Sequence, residues 1–211
     1  MPPRDEHDYE ARRQQIIEGA LQVFSRDGYE KATNIDIARA AKIKSPGLIY
    51  HYFKDKADLF RQVVEERANV LQFLLRSDDM MDREPREVLT EFARNLVTTL
   101  DNRTSVPMFK MMLGESIRRP AVAAMFNQIG PWRAFRFLSR YLEHQMDLGK
   151  LRRMDPGAAV RCLVGPLLAF VLTREVFVQA DSATLSPETM VETAVSVFLE
   201  GMEIKSDSAP D

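Results

Sequence analysis

The stretch Ser45-Pro-Gly-Leu-Ile-Tyr-His-Tyr-Phe-Lys-Asp-Lys56 predicts a very short helix with small and hydrogen-bonding groups on its exposed face. Ser45 is expected to cap the helix and Pro46 suits its first position. The apolar anchors are Leu48, Ile49 and Phe53. The residues left facing outward are Gly47, Tyr50, His51 and Tyr52, with Lys54 and Lys56 at the edge. A slim helix end, hydrogen-bonding side chains and nearby cations are what reading a DNA groove requires.

Two longer helices are predicted before this segment. An amphipathic helix over residues 9–27 is indicated by apolar residues at helical spacing, and Gly28 ends it. Thr33 then starts a second helix, with Asp36 as its capping-box partner. The turn Lys42-Ile-Lys44 leads into the third helix. Helix, helix, tight turn and helix together predict a helix-turn-helix domain.

Residues 9–60 resemble the DNA-binding domain of the tetracycline-repressor (TetR/AcrR) family of bacterial transcriptional regulators. The resemblance rests on the order and spacing of four segments, which are Ile16-Ile-Glu-Gly-Ala-Leu-Gln-Val-Phe24, Gly28-Tyr-Glu-Lys-Ala-Thr33, Asp36-Ile-Ala38 and Gly47-Leu-Ile-Tyr-His-Tyr-Phe-Lys-Asp-Lys-Ala-Asp-Leu59. The family usually has Ala-Gly-Val in the turn. Here Lys42 replaces that glycine and the turn is one residue longer.

A double-stranded DNA operator is therefore the expected partner. The expected contacts are Thr33, Lys44, Ser45, Pro46, Gly47, Tyr50, His51, Tyr52 and Lys56. Thr33 is expected both to cap its helix and to direct the helix N-terminus at a phosphate, and Lys56 to contact a phosphate. The whole chain has a net charge of -2, but residues 39–56 carry a local excess of four positive charges. Such a local excess can supply salt-dependent phosphate contacts.

Composition favours a cytoplasmic globular protein, with 211 residues of which 45% are hydrophobic. The amino-terminal residues are polar and acidic, unlike a signal peptide. The longest apolar run, Leu163 to Leu172, is shorter than the ~20 residues of a membrane span, so no membrane is expected. The single cysteine, Cys162, excludes an internal disulfide. It is interpreted as a small buried hydrophobe, with a redox-sensing thiol as the alternative.

The rest of the chain also has helical periodicity, which predicts an all-α fold with an effector-binding and dimerisation bundle after the helix-turn-helix domain. The predicted divisions are a disordered arm at 1–8, a DNA-binding domain at 9–56, a ligand-binding and dimerisation domain at 57–205 and a disordered tail at 206–211. One helix is expected to run from Pro120 to near Gly149 with a kink at Gly130-Pro131, and another from Pro156 to about Gln179.

This second part resembles, less strongly, a common C-terminal domain of the TetR family. The matching residues are Phe109-Lys-Met-Met-Leu-Gly-Glu-Ser116, Pro120, Gly130-Pro131, Gly149-Lys-Leu-Arg152 and Asp155-Pro156. The resemblance implies a small-molecule effector, whose identity it does not give, and a homodimer formed through the last two helices.

Methionine and aromatic residues are dense over residues 108–137, and this pattern suits either a core or an adaptable pocket. The residues expected to bind the ligand are Phe109, Met112, Met125, Phe126, Trp132, Phe135 and Arg174. Glu115 and Arg174 are charged residues inside apolar stretches. Surface exposure is the first interpretation of both, and a polar anchor for the ligand is the second.

The last two helices have broad apolar faces that are expected to pair with their symmetry mates. The face residues are Val160, Leu163, Leu167, Val171 and Phe177, then Val191, Ala194, Val195, Phe198 and Met202. Two recognition helices related by a two-fold axis would read a palindrome. The connecting fourth helix is expected to transmit the effect of the ligand.

No enzyme, cofactor or metal site is expected. The three histidines, His7, His51 and His144, are scattered, and no cluster has metal-ligand spacing or the form of a phosphate-binding loop. The favoured function is a ligand-responsive repressor released from its operator by a hydrophobic or amphipathic molecule. The alternative is a DNA-binding regulator controlled by a protein partner or by oligomerisation, without a small-molecule pocket.

Overall fold

The computed structural model describes residues 4–67, 69–99, 105–179 and 184–204, and these residues are mostly helical with no strand among them. In chain order the helices are α1 (Arg4–Asp27), α2 (Asn34–Ala40), α3 (Ile49–Tyr52), α4 (Lys56–Arg67), α5 (Asn69–Leu74), α6 (Pro85–Thr99), α7 (Ser105–Arg118), α8 (Pro120–Ile129), α9 (Pro131–Asp147), α10 (Pro156–Val171) and α11 (Pro187–Gly201). The all-α prediction is confirmed.

The chain forms two compact units. The first unit comprises residues 1–67 and 103–129, and the second comprises residues 68–102 and 130–211. These units do not divide the chain at residue 56, and the functional division predicted there stays a prediction. In the first unit, α7 packs against α1 and α8 packs against α4. Two helices from the predicted ligand-binding part therefore share a unit with the helix-turn-helix.

The core of the first unit is built from apolar residues that recur at helical spacing, so that each helix buries one face. The main buried residues are Ile16, Ile17, Ala20 and Phe24 of α1, Ile37 and Ala38 of α2, Ile49 of α3, Phe53, and Leu59, Phe60 and Val63 of α4. The rings of Phe24 and Phe60 meet edge to face with centroids 5.2 Å apart. This core fixes the three helices of the helix-turn-helix against α4.

The second unit is a bundle in which α6 packs on α5, α10 and α11, while α9 packs on α5 and α10. Its fully buried side chains include Phe92, Leu138, Tyr141, Leu163 and Val195. Side-chain caps begin α10 and α11, since Asp155 Oδ1 accepts from the N–H of Ala158 at 2.7 Å and Ser186 Oγ accepts from that of Thr189 at 3.0 Å.

Three predicted boundaries differ from the structure. Residues 4–8, expected in a disordered arm, belong to α1. The kinked helix is two helices, because Gly130 has a non-helical backbone and Pro131 has no N–H to continue the ladder. The helix expected to reach Gln179 stops being α-helical at Val171 and continues as a π-helical turn over Leu172–Val176. The predicted tail at 206–211 lies outside the described residues.

The predicted dimer faces are wrong as assigned, because most of their residues form the core of the second unit. Of the ten, only Phe177 is exposed, and the others are buried by neighbouring helices. The outward stripe of α10 instead carries small residues and one cation, which are Ala158, Arg161, Cys162, Gly165, Pro166 and Ala169. Cys162 is therefore exposed, and its interpretation as a buried hydrophobe is wrong as well.

The helical stretch Pro156–Val176 is long and apolar enough, by length and composition alone, to cross a membrane, with a mean hydropathy of 1.6. One such helix is weak support for a span, since the core helix of a helical bundle passes the same test. Leu163, Leu167 and Val171 on this stretch are buried inside the second unit. This packing is that of a bundle core helix.

Candidate nucleic-acid interface

The recognition segment consists of a 3-10 turn at Pro46–Leu48 followed directly by α3. Ile49 and Phe53 hold it in the core, being 2% and 1% exposed, whereas Tyr50 is 60% exposed. His51 is also exposed and Tyr52 is half-buried. Ile49 and Phe53 are thus buried anchors as predicted, whereas the third predicted anchor, Leu48, is only half-buried. The Ser45 cap is wrong, because its side chain makes no capping hydrogen bond and its Oγ is left at the surface.

Gly47 is a glycine that the fold itself does not require. A Cβ placed on it would meet only Ser45 Oγ, at an ordinary contact distance of 3.5 Å. Its backbone is not in the left-handed region that favours glycine. Nothing within the described structure therefore excludes a side chain at this exposed position. A surface that must approach the backbone closely would exclude one.

The turn before the recognition segment contains a left-handed residue. The N–H of Ile43 donates to the carbonyl of Ala38 at 3.0 Å, around Lys42 with φ of 53°. This is the six-to-one bond of a Schellman C-cap, in which glycine is the usual left-handed residue. Lys42 occupies that position at a conformational cost. Its side chain and that of Lys44 are exposed beside the recognition segment.

Lys56 is half-buried and already has partners in the protein. Its Nζ donates to the carbonyl oxygen of Glu30 at 3.0 Å and lies 4.8 Å from the centroid of the Tyr29 ring. Burial lowers the pKa of Lys56, and the charge of Glu30 opposes this shift. An ammonium has three donors, so a phosphate contact remains possible beside these two interactions.

Thr33 caps α2 as predicted. Its Oγ1 accepts from the N–H of Asp36 at 3.1 Å and donates to the Asp36 carboxylate at 2.5 Å. Asp36 in turn pairs with Arg39 at 3.0 Å. The charge of Arg39 is therefore partly neutralised by Asp36, which lies just outside the positive stretch at residues 39–56. The exposed cations around the recognition segment are Lys42, Lys44 and Lys54.

The amino-terminal turns of α1 adjoin the recognition segment, which the sequence analysis did not foresee. A groove of about 520 Å³ is lined by Asp8, Tyr9, Ala11, Arg12, Gln15 and Tyr52. Arg13 and Gln14 tie this part of α1 to Glu66 of α4 at 2.5 and 2.9 Å. These pairs join residues about fifty positions apart, so a local sequence pattern does not reveal them.

The residues predicted to bind a ligand are divided between the two units. Phe109, Met112, Met125 and Phe126 lie in the first unit, and Trp132, Phe135 and Arg174 lie in the second. Met112 is buried, whereas Trp132 is 47% exposed. Within the second unit the rings of Trp132 and Phe135 stack at 5.9 Å. The guanidinium of Arg161 lies over the Phe135 ring, 4.8 Å from its centroid.

The two charged residues in apolar stretches both have protein partners. The carboxylate of Glu115 is only 15% exposed and pairs with Arg118 at 2.9 Å and with Arg119 at 3.4 Å. Its interpretation as a surface residue is therefore wrong. Arg174 lies 5.7 Å from the centroid of the Phe170 ring. No group of three or more potential metal ligands is found among the described residues.

Comparison with known families agrees with this architecture. Residues 16–63 match the family described as "Bacterial regulatory proteins, tetR family". Residues 87–201 match "AefR-like transcriptional repressor, C-terminal domain". The chain belongs to the TetR family of bacterial transcriptional regulators. The family predicted from the sequence motifs is confirmed.

Several proteins of this family are similar to the chain. The transcriptional repressor AcnR of Corynebacterium efficiens is 30% identical over 165 residues, 72% of this chain and 86% of AcnR. The transcriptional regulator HbdR of Aromatoleum sp. is 54% identical over 50 residues, so the match spans 24% of this chain and only 21% of HbdR. The crystal structure of FadR from Bacillus subtilis in complex with stearoyl-CoA has a TM-score of 0.69 at 19% identity. It covers 90% of this chain and 99% of FadR, which shows a shared fold.

Proposed function

We propose that this TetR-family regulator is a cytoplasmic repressor that binds a palindromic operator as a homodimer and leaves it when a small hydrophobic or amphipathic effector binds. No catalytic activity, cofactor or membrane attachment is part of the proposal. A recognition segment of seven residues reads few base pairs, so two copies related by a two-fold axis are needed for useful specificity.

The DNA-binding part of the proposal rests on the surroundings of Gly47. The fold leaves room for a Cβ at this exposed position, which supports a role for the bare backbone in contact with an external partner. Tyr50 and His51 lie beside it on the outward face, and Lys44 and Lys54 flank it. This arrangement combines close backbone approach, hydrogen-bonding groups and cations, which suit base edges and phosphates.

The DNA-binding part is tested with Gly47→Ala and Tyr50→Ala. Each variant is expected to keep the melting temperature within about 3 °C, since neither side chain is in the core. Operator affinity should fall about tenfold or more, which is the value of one lost specific contact. A mobility-shift titration at two salt concentrations measures the loss. Leu148→Ala removes an equally exposed apolar side chain from the second unit and is the matched control.

Wild-type affinity of the Gly47→Ala protein for the selected operator would contradict the assignment of this face. A selection from random duplexes that enriches no palindrome would contradict the function as a whole. If the substitution instead weakens binding equally to all DNA sequences, this face contacts phosphates alone.

The effector is proposed from the chemistry of α7 and α8 in the first unit. These helices carry methionines and aromatic rings, which form adaptable and largely apolar ligand sites. Stearoyl-CoA, the ligand in the similar FadR structure, and a free fatty acid of the same chain length are the first compounds to test. Release of the operator and a rise in melting temperature are expected with one of them. Trp132 is the only tryptophan, so its fluorescence reports changes near α9 without mutation.

A negative result in the compound screen would also show how the regulator is controlled. If no hydrophobic compound in a broad thermal-shift screen stabilises the protein or releases it from DNA, the small-molecule part of the proposal is overturned. Control by a protein partner then becomes the better account, and the DNA-binding part stands unchanged.

A further inference from the structure

Tyr9 of α1 touches the recognition segment through its ring. Its centroid lies 4.6 Å from that of Tyr52, with an interplanar angle of 38°. The His51 ring lies 6.3 Å away at a steep angle. His51 and Tyr52 also meet edge to face at 5.2 Å. Three rings from two distant parts of the chain therefore form one cluster at the protein surface.

His51 and Tyr52, the two cluster members in the recognition segment, have few other contacts that fix the orientation of their rings. The core holds the segment through Ile49 and Phe53, whose side chains point away from the outward face. His51 is exposed and Tyr52 only half-buried. A helix of one turn does not fix the rotamers of outward side chains by its own backbone. The Tyr9 ring supplies the packing that the short helix lacks.

The platform beneath Tyr9 is itself fixed. One turn further along α1, Arg13 contacts Gln62 at 2.7 Å and Glu66 at 2.5 Å. Gln14 donates to Glu66 at 2.9 Å. These contacts hold the amino-terminal half of α1 against α4, so the backbone of Tyr9 is held beside the recognition segment. Tyr9 and Tyr52 also both line the groove beside α1.

Core stability gives little reason for Tyr9 to be aromatic. The residue is 41% exposed, and its neighbours in the cluster are at the surface too. An aromatic pair of this kind contributes only slightly beyond the area that it buries. That amount is small for the fold but sufficient to select one side-chain arrangement over another.

We propose that Tyr9 is a positioning residue for base reading, which holds the His51 and Tyr52 rings in the orientation that the operator requires. The inference rests on the proposed DNA-binding function and adds a specificity determinant outside the helix-turn-helix motif. Tyr9 acts through ring packing, so phenylalanine should replace it and alanine should not.

The test compares wild type, Tyr9→Phe and Tyr9→Ala in selections from a duplex library with one randomised half-site. Tyr9→Ala should reduce discrimination about three- to tenfold, the equivalent of one lost aromatic pair, at the base positions that also change in His51→Ala. Discrimination at other positions and binding to non-specific DNA should stay within about twofold. Tyr9→Phe should retain the wild-type profile. His7→Ala changes an exposed side chain on the same helix and is the matched control.

The ring signals of His51 in nuclear magnetic resonance spectra give a readout without DNA. Their ring-current shifts should change in Tyr9→Ala and be restored in Tyr9→Phe. If Tyr9→Ala loses its fold, Tyr9→Leu keeps apolar bulk without a ring and replaces it in both measurements. An unchanged base profile in the alanine or leucine variant, or equal weakening at every position, overturns the inference. A wild-type protein that selects no sequence overturns the proposed function as well, so the two failures are distinguishable.

Discussion

Gly19 and Ala41 lie so close that a Cβ on the glycine would fall 2.5 Å from the amide nitrogen of Ala41 and 2.7 Å from its Cβ. The approach brings α1 against the end of α2 and sets the position of the turn that follows. Gly19 is buried in the middle of a long helix, where glycine is otherwise unfavourable. The close crossing of the two helices explains why it is there.

Gly19→Ala is expected to destabilise the protein by about 2 kcal/mol or more, because the backbone of Ala41 must move to admit one methyl group. Urea unfolding followed by circular dichroism measures the change. Gly114→Ala is the control, since a Cβ there would meet only the end of the Arg118 side chain at 3.8 Å. That variant should be neutral or up to about 1 kcal/mol more stable, from helix propensity. Equal stability of both variants would contradict the crossing.

The sequence predicted the helix-turn-helix well because its signals are local. Helical spacing of apolar residues, the Thr33 cap and the short segment after Ser45 each depend on neighbours along the chain. The contribution of α1 was missed because the contacts of Tyr9 with Tyr52 and of Arg13 with Glu66 span 43 and 53 residues of the chain. Polar helix ends also carry no periodic apolar signal that would separate them from a disordered arm.

The last two helices show a different limit of sequence reasoning. Their apolar stripes are real, but a stripe does not say whether it faces the same chain or a second copy. Leu163 and Val195 are fully buried within the second unit, so the stripe faces inward. The outward face of α10 is made of small residues, which give no hydrophobic signal. A dimer formed there would be held by close helix approach.

Lys42→Gly is expected to stabilise the first unit. The lysine has φ of 53°, a left-handed conformation that costs a residue with a Cβ about 1–2 kcal/mol. The greater freedom of glycine in the unfolded chain offsets part of this gain, so a net rise of about 0.5–1 kcal/mol is expected. Chemical unfolding measures it. Lys44→Gly makes the same change outside the left-handed region and should not stabilise. A destabilised Lys42→Gly protein would contradict the strained turn.

The carboxylate of Asp58 is expected to make the free energy of unfolding depend on pH. Burial raises its pKa, but hydrogen bonds from the Lys54 N–H at 3.0 Å, from Gln62 and from Arg61 outweigh burial, so the pKa is lowered. A carboxyl group with a lower pKa in the folded state stabilises the protein above its unfolded pKa. That contribution is fully present above the unfolded pKa of about 3.9 and is lost as the pH falls from there through the lowered pKa of the folded state.

Asp58→Asn should therefore cost about 1 kcal/mol at pH 7 and less at pH 3, because pH 3 lies below the pKa of an unfolded aspartate and unfolding of the wild type then takes up a proton. Free energies of unfolding at the two pH values measure the difference. Asp8→Asn changes the same charge at an exposed position on α1 and controls for net charge. A cost that stays constant between pH 7 and pH 3 would show that hydrogen-bond geometry, not ionisation, is lost.

The proposed homodimer is tested on the outward faces of α10 and α11. Val197 is 63% exposed, whereas its neighbour Phe198 is 8% exposed. Val197→Glu should give a folded monomer by light scattering, while Phe198→Glu should impair folding. Cys162 reports on the same interface, since it is exposed on one chain and should react slowly with a thiol reagent in a dimer. Equal thiol reactivity in wild type and in Val197→Glu would place the dimer interface elsewhere.

We expect the ion pair between Arg119 and Glu30 to pass the signal of the proposed effector to the recognition segment. Arg119 lies between α7 and α8, which carry four of the residues proposed to bind the ligand. Its guanidinium pairs with the Glu30 carboxylate at 2.7 Å, and the Glu30 carbonyl accepts from Lys56. Both charged groups are about half exposed, so the pair adds only about 0–1 kcal/mol to stability. Its loss should therefore change regulation more than folding.

Arg119→Ala is expected to bind the operator within about twofold of wild type but to need about fivefold more effector for release, equivalent to ~1 kcal/mol of coupling. Titrations of effector into the preformed DNA complex measure this. Arg118→Ala removes a neighbouring guanidinium that pairs with Glu115 and is the matched control. A wild-type response in Arg119→Ala would show that this ion pair does not carry the signal.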